Sequence, residues 1–378
     1  MFGKIALFFS LFILLYIIPP GGFSAWSFES GVRWLYLFLI SFLIFNISYP
    51  FIFRLAWKIN AIDVPDSRKV HLKPVPRIGG LGVYLAFIFT IIRNFQFSSE
   101  IISILIGSSV IFIVGFIDDV KGLSAKSRLF FQVLSACIVV AGGVKITYTL
   151  GWGLYGQVIS WIVSVLWIVG IINAFNFMDG IDGLAASMGL VISVIFLIIT
   201  VNTEQYKVMF ITASLCGSVF GFLIYNWSPA KIFLGDGGST LIGFILACLG
   251  IYGSYSSDNP FISLSVPIII LSIPIFDIIY ITVSRIKNGL VRNITEWLEY
   301  TGKDHFHHRL LSVGFSVKSA VVFISLLNLI LGSIAAGVVV KDEFVETVLS
   351  FFEVFLIFII IVIVMVTARN KIDGVKEI

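Results

Sequence analysis

The chain has 378 residues, of which 58% are hydrophobic and only 12% are charged, and its mean hydropathy is +1.06. These values exclude an ordinary soluble domain, in which about a quarter of the residues are charged. The net charge of +4 is modest, and we expect no nucleic-acid partner. Three cysteines, Cys137, Cys216 and Cys248, fall at unrelated spacings in apolar stretches and predict neither a disulfide framework nor a zinc site.

The apolar stretches predict an all-α polytopic membrane protein with 11 to 12 transmembrane helices, since a spanning helix needs about 20 mostly apolar residues. We predict one integral-membrane domain over residues 1–378, made of an extra amino-terminal span (1–32), a core (33–335) and a carboxy-terminal span with a cytoplasmic tail (336–378). The individual segments lie near residues 4–20, 33–55, 79–97, 101–117, 127–143, 155–176, 184–201, 208–225, 238–256, 262–285, 317–340 and 344–367.

The basic residues predict the orientation of the chain. If the amino terminus is cytoplasmic and the spans alternate, the outer side receives only five basic residues, Arg33, Arg93, Lys145, Lys207 and Lys341. Cytoplasmic loops carry the excess of Lys and Arg in membrane proteins. The remaining polar stretches then fall on the cytoplasmic face, where we expect the loops to form an active site.

The first cytoplasmic loop, residues 63–80, is rich in proline and is cationic. It reads DVPDSRKVHLKPVPRIGG and includes Lys73 and Arg77. The prolines favour an extended loop over a helix. Its charges suit either an anchor on anionic lipid head groups or a phosphate-binding loop.

Two adjacent acids, Asp118 and Asp119, end the fourth predicted span. On a helix they diverge by about 100°, so that one can meet a metal while the other meets a substrate proton. The alternative is a helix end that simply reaches water. Ser124 is a candidate N-cap for the helix that follows.

The stretch from Asn173 to Ala186 reads NAFNFMDGIDGLAA and carries four polar residues at intervals of three. If the helix continues through it, these residues share one helical face. Unpaired polar groups in hydrocarbon cost several kcal/mol, so this face must meet water, a metal, a ligand or its own members. The four residues are Asn173, Asn176, Asp179 and Asp182.

A third acidic position, Asp236, is bracketed by Gly235, Gly237 and Gly238 at the start of a predicted span. Glycines on both sides expose the one carboxylate and leave backbone amides free at a helix start, where anions are favoured. An ordinary turn that contains an aspartate is the alternative.

Three of the four histidines, His305, His307 and His308, lie together beside Arg309. A structural zinc site would need further Cys or His ligands, so a cationic clamp for phosphate suits them at least as well. Asp277, inside the tenth predicted span, is either functional or paired with a neighbouring helix.

Taken together, these loops predict phosphoryl transfer at the membrane surface. Oxygen ligands without cysteine select Mg²⁺, or alternatively Mn²⁺, and cationic residues opposite a divalent ion indicate phosphates. A secondary transporter and a metal-dependent intramembrane hydrolase are the competing hypotheses.

Five motifs, in order, resemble those of the polyprenyl-phosphate N-acetylhexosamine-1-phosphate transferase family, and the similarity extends from residue 33 to about 335. The HHR ending is similar to the branch that starts O-antigen, enterobacterial common antigen and wall teichoic acid synthesis. The stretch VRNITEWLEYTGKD before the histidines differs from the commoner proline-containing version. The motifs are RKVHLKPVPRIGG, DDVKGLSAKSR, NAFNFMDGIDGLA, FLGDGGS and DHFHHRL.

This resemblance implies the reaction and its partners. Undecaprenyl phosphate would attack the sugar-linked phosphorus of a UDP-N-acetylhexosamine, most simply UDP-GlcNAc, and release UMP. It implies a place in the bacterial cytoplasmic (inner) membrane, with the active site on the cytoplasmic face and the bilayer as a partner. The sequence leaves homodimerisation open.

The resemblance also implies a role for each site residue. Asp236, helped by Asn176, would bind the metal, and Asp118 or Asp119 would accept the proton of the lipid phosphate or hold that phosphate in line. The nucleoside would be bordered by Asp179, Gly180, Ile181, Asp182, Phe233 and Lys73. The sugar and diphosphate would be bound by His305, His307, His308, Arg309 and Arg77.

Overall fold

The computed structural model describes residues 8–9, 11, 27, 30–65, 73–94, 97–147, 152–256, 259–293, 296–297, 300, 302 and 304–376, with side chains as far as 367. The predicted span at 4–20 lies almost entirely outside the described residues, as does the centre of the first charged loop, residues 66–72. The predicted division of the chain at residues 32 and 335 stays a prediction.

The described part of the chain is almost entirely helical. A short antiparallel pair of strands, β1 (Ile62–Asp63) and β2 (Val75–Pro76), closes the base of the first loop. The helices are α1 (Arg33–Lys58), α2 (Gly80–Asn94), α3 (Ser99–Lys121), α4 (Ala125–Ala141), α5 (Gly153–Phe177), α6 (Leu184–Asn202), α7 (Tyr206–Asn226), α8 (Gly235–Tyr252), α9 (Pro260–Ile270), α10 (Ser272–Lys287), α11 (Phe306–Ser312), α12 (Val317–Lys341) and α13 (Phe344–Lys376).

All eleven apolar segments predicted from residue 33 onward are helical, which confirms the all-α membrane class. Within the described residues, eight helices are long and apolar enough to cross a membrane, and the bent pair α9–α10 would make nine. This number of candidate spans is below the predicted 11 to 12, because two of the predicted spans are short helices. α2 has only 15 residues and α4 only 17, and a full crossing takes about 20.

The tenth predicted segment is not one straight helix, because α9 and α10 meet at Leu271 with a bend of 75°. Pro274 follows the bend, and a proline has no backbone N–H with which to continue the ladder to Ile270. The bend gives α10, which carries Asp277, a direction of its own.

Helix α8 is the most buried of the candidate spans and packs against α3 and α5. Its first turn approaches α3 closely at Gly115, where an added Cβ would lie 2.5 Å from the Cα of Gly237. Only glycines permit backbones to come this near. This contact brings the end of α3, with Asp118 and Asp119, beside Asp236.

The structure corrects the prediction that four polar residues share one helical face. Helix α5 ends at Phe177, so that Asn173 and Asn176 are helical whereas Asp179 and Asp182 lie in the turn that follows. The turn closes at Gly183, whose φ of +80° is a left-handed conformation that favours glycine.

Candidate active site

A cavity of about 320 Å³ lies among the ends of α3, α4, α5 and α8 and the amino-terminal end of α11. Seven of the predicted site residues line it: Asp118, Asn176, Gly180, Asp236, His305, His307 and His308. The other predicted residues are described but do not line it: Lys73, Arg77, Asp119, Asp179, Ile181, Asp182, Phe233 and Arg309. The loops that the sequence analysis singled out therefore do meet at one end of the helix bundle.

Two carboxylates share one guanidinium in this cavity. Nη1 of Arg128 lies 3.1 Å from Oδ2 of Asp118 and 3.7 Å from Oδ2 of Asp236. Arg128 sits in the first turn of α4, which the side chain of Ser124 caps as predicted by accepting a hydrogen bond from the Ser127 N–H. The shared cation and the two acids form a compact site of mixed charge.

Asp119 points away from Asp118, as expected for neighbours on a helix, and its side chain is 2% exposed. Its Oδ1 accepts hydrogen bonds from the Asp236 N–H at 2.9 Å and from Nη2 of Arg77 at 3.1 Å. Its Oδ2 accepts one from the Gly237 N–H at 3.0 Å. The start of α8 does attract an anion, and that anion is the carboxylate of Asp119.

We expect Asp119→Asn to lower the stability of the fold by about 1–3 kcal/mol, the cost of leaving buried donors unpaired. An amide offers one acceptor, and its NH₂ group would face a backbone N–H at Asp236 or Gly237. Thermal unfolding of the detergent-solubilised protein measures this effect.

Asp118→Asn is the matched control for that experiment. Asp118 accepts a single backbone hydrogen bond, from Leu123, which one amide oxygen can keep. We therefore expect a smaller shift in melting temperature for the Asp118 variant. Equal shifts for both variants would contradict the structural role of Asp119.

Amide side chains line the part of the cavity formed by α4 and α5. Nδ2 of Asn176 donates to Oδ1 of Asp236 at 2.9 Å and to Oγ of Ser239 at 2.8 Å, which fixes the Asp236 carboxylate. Gln132 and Asn173 donate to each other, at 3.3 and 2.7 Å. The two amides of α5 thus find their side-chain partners on α4 and α8.

The turn after α5 is tied to the loop before α8. Oδ2 of Asp182 accepts from the Ala230 N–H at 3.0 Å, and Asn226 accepts from Gly183 at the same distance. Burial and then the negative charges of Asp236 and Asp119 raise the pKa of Asp179 to about 8. Such a concentration of carboxylates favours a bound cation.

The histidines lie at the start of α11 and differ from one another. His307 is fully buried, and neither of its ring nitrogens has a hydrogen-bond partner within the described residues. Burial, and then the neighbouring His308 and His305, lower the pKa of His307 well below its ordinary value. His307 is therefore neutral near pH 7 and does not act as a cation there.

The ring of His307 lies directly against Gly180. A Cβ added at that glycine would be 2.1 Å from Nε2 of His307. The turn after α5 and the histidine helix consequently approach each other only because position 180 has no side chain.

The first loop lies at the edge of the site. Lys73 is exposed, whereas Arg77 reaches Asp119. The backbone of Phe233 bonds to the carboxyl-terminal end of this loop, because its N–H donates to Pro76 at 2.7 Å and its carbonyl accepts from Gly79 at 2.8 Å. These contacts join the predicted nucleotide-binding residues to the acidic site.

Sequence reasoning overlooked a buried arginine. Arg285, near the end of α10, is 1% exposed and donates from Nε and Nη2 to the two carboxylate oxygens of Asp304, both at 2.8 Å. Burial alone would raise the pKa of Asp304, but the hydrogen bonds and charge of Arg285 hold it below its ordinary value. The sequence did contain a signal for this pair. A basic residue, Arg285, ends an apolar segment, and an acid, Asp304, directly precedes the histidines.

In the described parts of the chain, no group of three or more His, Cys, Asp or Glu side chains is placed to hold a metal by itself. Two cavity carboxylates, Asp118 and Asp236, are near enough to share one cation, as their contacts with Arg128 show. This donor set suits an ion that completes its coordination with water and phosphate oxygens.

These features define an integral membrane protein whose helix bundle carries a polar, acidic site at one end. The model of the family described as glycosyl transferase family 4 matches residues 101–254, which span α3 to α8 and include the aspartates of the cavity. With the relatives described next, this match shows that the chain belongs to glycosyl transferase family 4.

Three relatives illustrate the similarity. A Bacillus subtilis protein named "Probable undecaprenyl-phosphate N-acetylglucosaminyl 1-phosphate transferase" is 34% identical over 340 residues, covering 87% of this chain and 90% of its own length. A Mycobacterium leprae protein named "Decaprenyl-phosphate N-acetylglucosaminephosphotransferase" is 32% identical over 72% of this chain and 75% of its own. An Escherichia coli K12 protein named "Undecaprenyl-phosphate alpha-N-acetylglucosaminyl 1-phosphate transferase" is 27% identical over 78% and 82%.

Proposed function

We propose that this protein transfers N-acetylglucosamine 1-phosphate from UDP-GlcNAc to undecaprenyl phosphate. The acceptor oxygen would form a bond to the sugar-linked phosphorus, the bond to the bridging oxygen would break, and UMP would leave. The convergence of Asp118, Arg128, Asp236 and the histidines on one cavity carries this proposal. The names of three relatives that each cover most of the chain support the same reaction.

The cavity has the charges that this reaction requires. Arg128 offers a guanidinium that can grip phosphate oxygens, and Asp118 and Asp236 face the same space. Acids beside phosphates repel them unless a cation lies between the two. The site therefore suits a phosphorylated substrate that binds together with a divalent ion.

Mg²⁺ is the ion that fits these residues, with Mn²⁺ as the alternative. Asp236 would hold it, Asn176 would orient the carboxylate, and the substrate diphosphate and water would supply further oxygens. A bound divalent ion would neutralise the charge that develops on the transferred phosphoryl group.

Asp118 is better placed than Asp119 to contact the acceptor phosphate, because Asp118 lines the cavity whereas Asp119 is occupied by backbone amides. The second pKa of a phosphate monoester is near 6, so the acceptor is largely deprotonated at neutral pH. We infer that Asp118 and Arg128 orient the acceptor rather than remove its proton.

The geometry gives the transporter hypothesis little support. The acids described above gather at one end of the bundle, whereas the coupling sites of secondary transporters lie near mid-bilayer. The catalytic proposal further places the chain in the bacterial inner membrane with the cavity facing the cytoplasm, an orientation favoured by the distribution of Lys and Arg.

The decisive experiment supplies the purified protein with undecaprenyl phosphate, Mg²⁺ and a panel of UDP-N-acetylhexosamines, and follows UMP release. We expect turnover that depends on the lipid and is fastest with UDP-GlcNAc. Failure with every donor would refute the transferase, and a different preferred donor would revise its sugar.

We further expect activity to disappear with EDTA and to return with excess Mg²⁺ or Mn²⁺, but to survive a chelator selective for zinc. Hard oxygen donors at Asp236 and Asp118 prefer these ions over zinc. Inhibition by the zinc chelator would support the competing hydrolase hypothesis, in which the histidines hold the metal.

A further inference from the structure

An intramembrane acid contacts the start of the histidine helix. Asp277 of α10 is 1% exposed, and its Oδ2 lies 2.6 Å from Nδ1 of His305. Its Oδ1 accepts from the Phe306 N–H at 2.7 Å. Both carboxylate oxygens therefore act on the first residues of α11, one on the ring and one on the backbone.

This contact determines which ring nitrogen of His305 carries a proton. An ionised carboxylate only accepts hydrogen bonds, so Nδ1 must be the protonated nitrogen. The other nitrogen, Nε2, lies 3.4 Å from Nη2 of Arg285, and a guanidinium only donates. The two neighbours thus favour the same tautomer, in which Nδ1 carries the proton and the lone pair of Nε2 faces the Arg285 guanidinium.

Arg285 is itself held in place from two further sides. Asp304 binds its guanidinium through two hydrogen bonds, and the ring of Tyr300 lies 4.5 Å from the guanidinium carbon. Tyr300 and His305 both line the cavity. An ordered set of buried groups therefore runs from α10 to the cavity wall.

We propose that Asp277 and Arg285 are positioning residues that fix the tautomer and ring orientation of His305 in the wall of the cavity that binds the sugar diphosphate. The role in turnover rests on the proposed transferase function, whereas the tautomer does not. Neither residue lines the cavity.

The sequence shows why the ring of His305 needs support from another part of the chain. His305 directly precedes the seven-residue helix α11, which is too short to hold its first residue rigidly by its own hydrogen bonds. Asp277 lies 28 positions earlier in the chain and is anchored in the bent α9–α10 pair. The histidine thereby takes its orientation from the membrane-embedded scaffold.

The first test measures the tautomer without any turnover. Protein labelled with ¹⁵N-histidine, in phospholipid nanodiscs, contains only four histidines, so subtraction of the His305→Gln spectrum identifies the His305 nitrogens. We expect a protonated Nδ1 and an unprotonated Nε2, and the opposite arrangement in Asp277→Asn. An unprotonated Nδ1 in the wild type, protonation of both nitrogens, or no change in the variant would overturn the proposal.

The second test is a double-mutant cycle on UMP release. We expect Asp277→Asn alone to lower kcat about 10²-fold, by analogy with other carboxylate–histidine pairs, but to cause less than about 3-fold further loss in a His305→Gln background. Ile279→Ala, which changes an exposed apolar residue of the same helix, is the control and should retain wild-type kcat. Multiplicative losses would mean that Asp277 acts independently of His305 and would overturn the proposal.

Absence of UMP release from the wild type would instead refute the transferase function. The tautomer measurement would still decide the positioning claim in that case, so the two failures are distinguishable.

Discussion

Asp236→Asn is expected to reduce turnover at least about 10³-fold, the scale of losing a principal electrostatic group of an active site. The substitution removes one negative charge from the cavity but keeps the shape of the side chain. The backbone N–H of Asp236, which binds Asp119, is unaffected, so the start of α8 should stay in place. UMP release under saturating Mg²⁺ measures the loss.

Asp342→Asn is the matched control, because it makes the same chemical change at an exposed residue outside the cavity. Asp342 ends α12 with a φ of +48°, a conformation that asparagine tolerates well. We expect wild-type turnover from this variant. If Asp236→Asn also kept a near-normal rate, the metal would have to be held elsewhere.

Gly180→Ala should be nearly as damaging, although it adds only one methyl group. The new Cβ would lie 2.1 Å from Nε2 of His307, a distance that real contacts do not reach, so the buried His307 ring, the turn or the histidine helix must move. We expect a loss of about 10² in kcat/KM, because displacements of about 1 Å at a catalytic site have effects of that size. Steady-state kinetics with varied UDP-GlcNAc tests this expectation.

Gly170→Ala provides the comparison for that variant. Gly170 lies earlier in the chain, inside α5, and a Cβ there meets nothing within 4 Å. We expect unchanged kinetics and a small gain in stability, up to about 1 kcal/mol, because alanine is the better helix former. Equal damage from both variants would indicate a general sensitivity of α5 rather than the contact with His307.

Much of the fold was accessible from the sequence because lipid imposes a strong constraint. Long apolar segments can only be helices in a membrane, so the positions of α1 to α8, of the α9–α10 pair, and of α12 and α13 followed from hydropathy. The bend at Leu271 was not predicted, because an apolar pattern does not reveal where a helix changes direction. The prediction of one shared helical face was wrong for a related reason, since the regular polar spacing continues beyond Phe177, where the helix ends.

The sequence also identified seven of the residues that line the cavity, because polar residues in apolar surroundings stand out. It could not assign separate roles to Asp118 and Asp119, which are adjacent in the chain and chemically identical. Their separation depends on tertiary contacts, since only Asp119 faces the first amides of α8. The pairing of Asp277 with His305 was equally hidden, because it joins residues from separate segments.

The occupation of the α8 amino terminus by Asp119 bears on how relatives of this protein can diverge. The carboxylate satisfies the backbone at the base of the site, so the framework holds its shape without help from any substrate. His308, at the rim of the cavity, takes no part in those hydrogen bonds to the start of α8. New sugar preferences, and resistance to inhibitors that imitate the nucleotide sugar, should therefore arise by changes at the rim while the buried aspartate stays fixed.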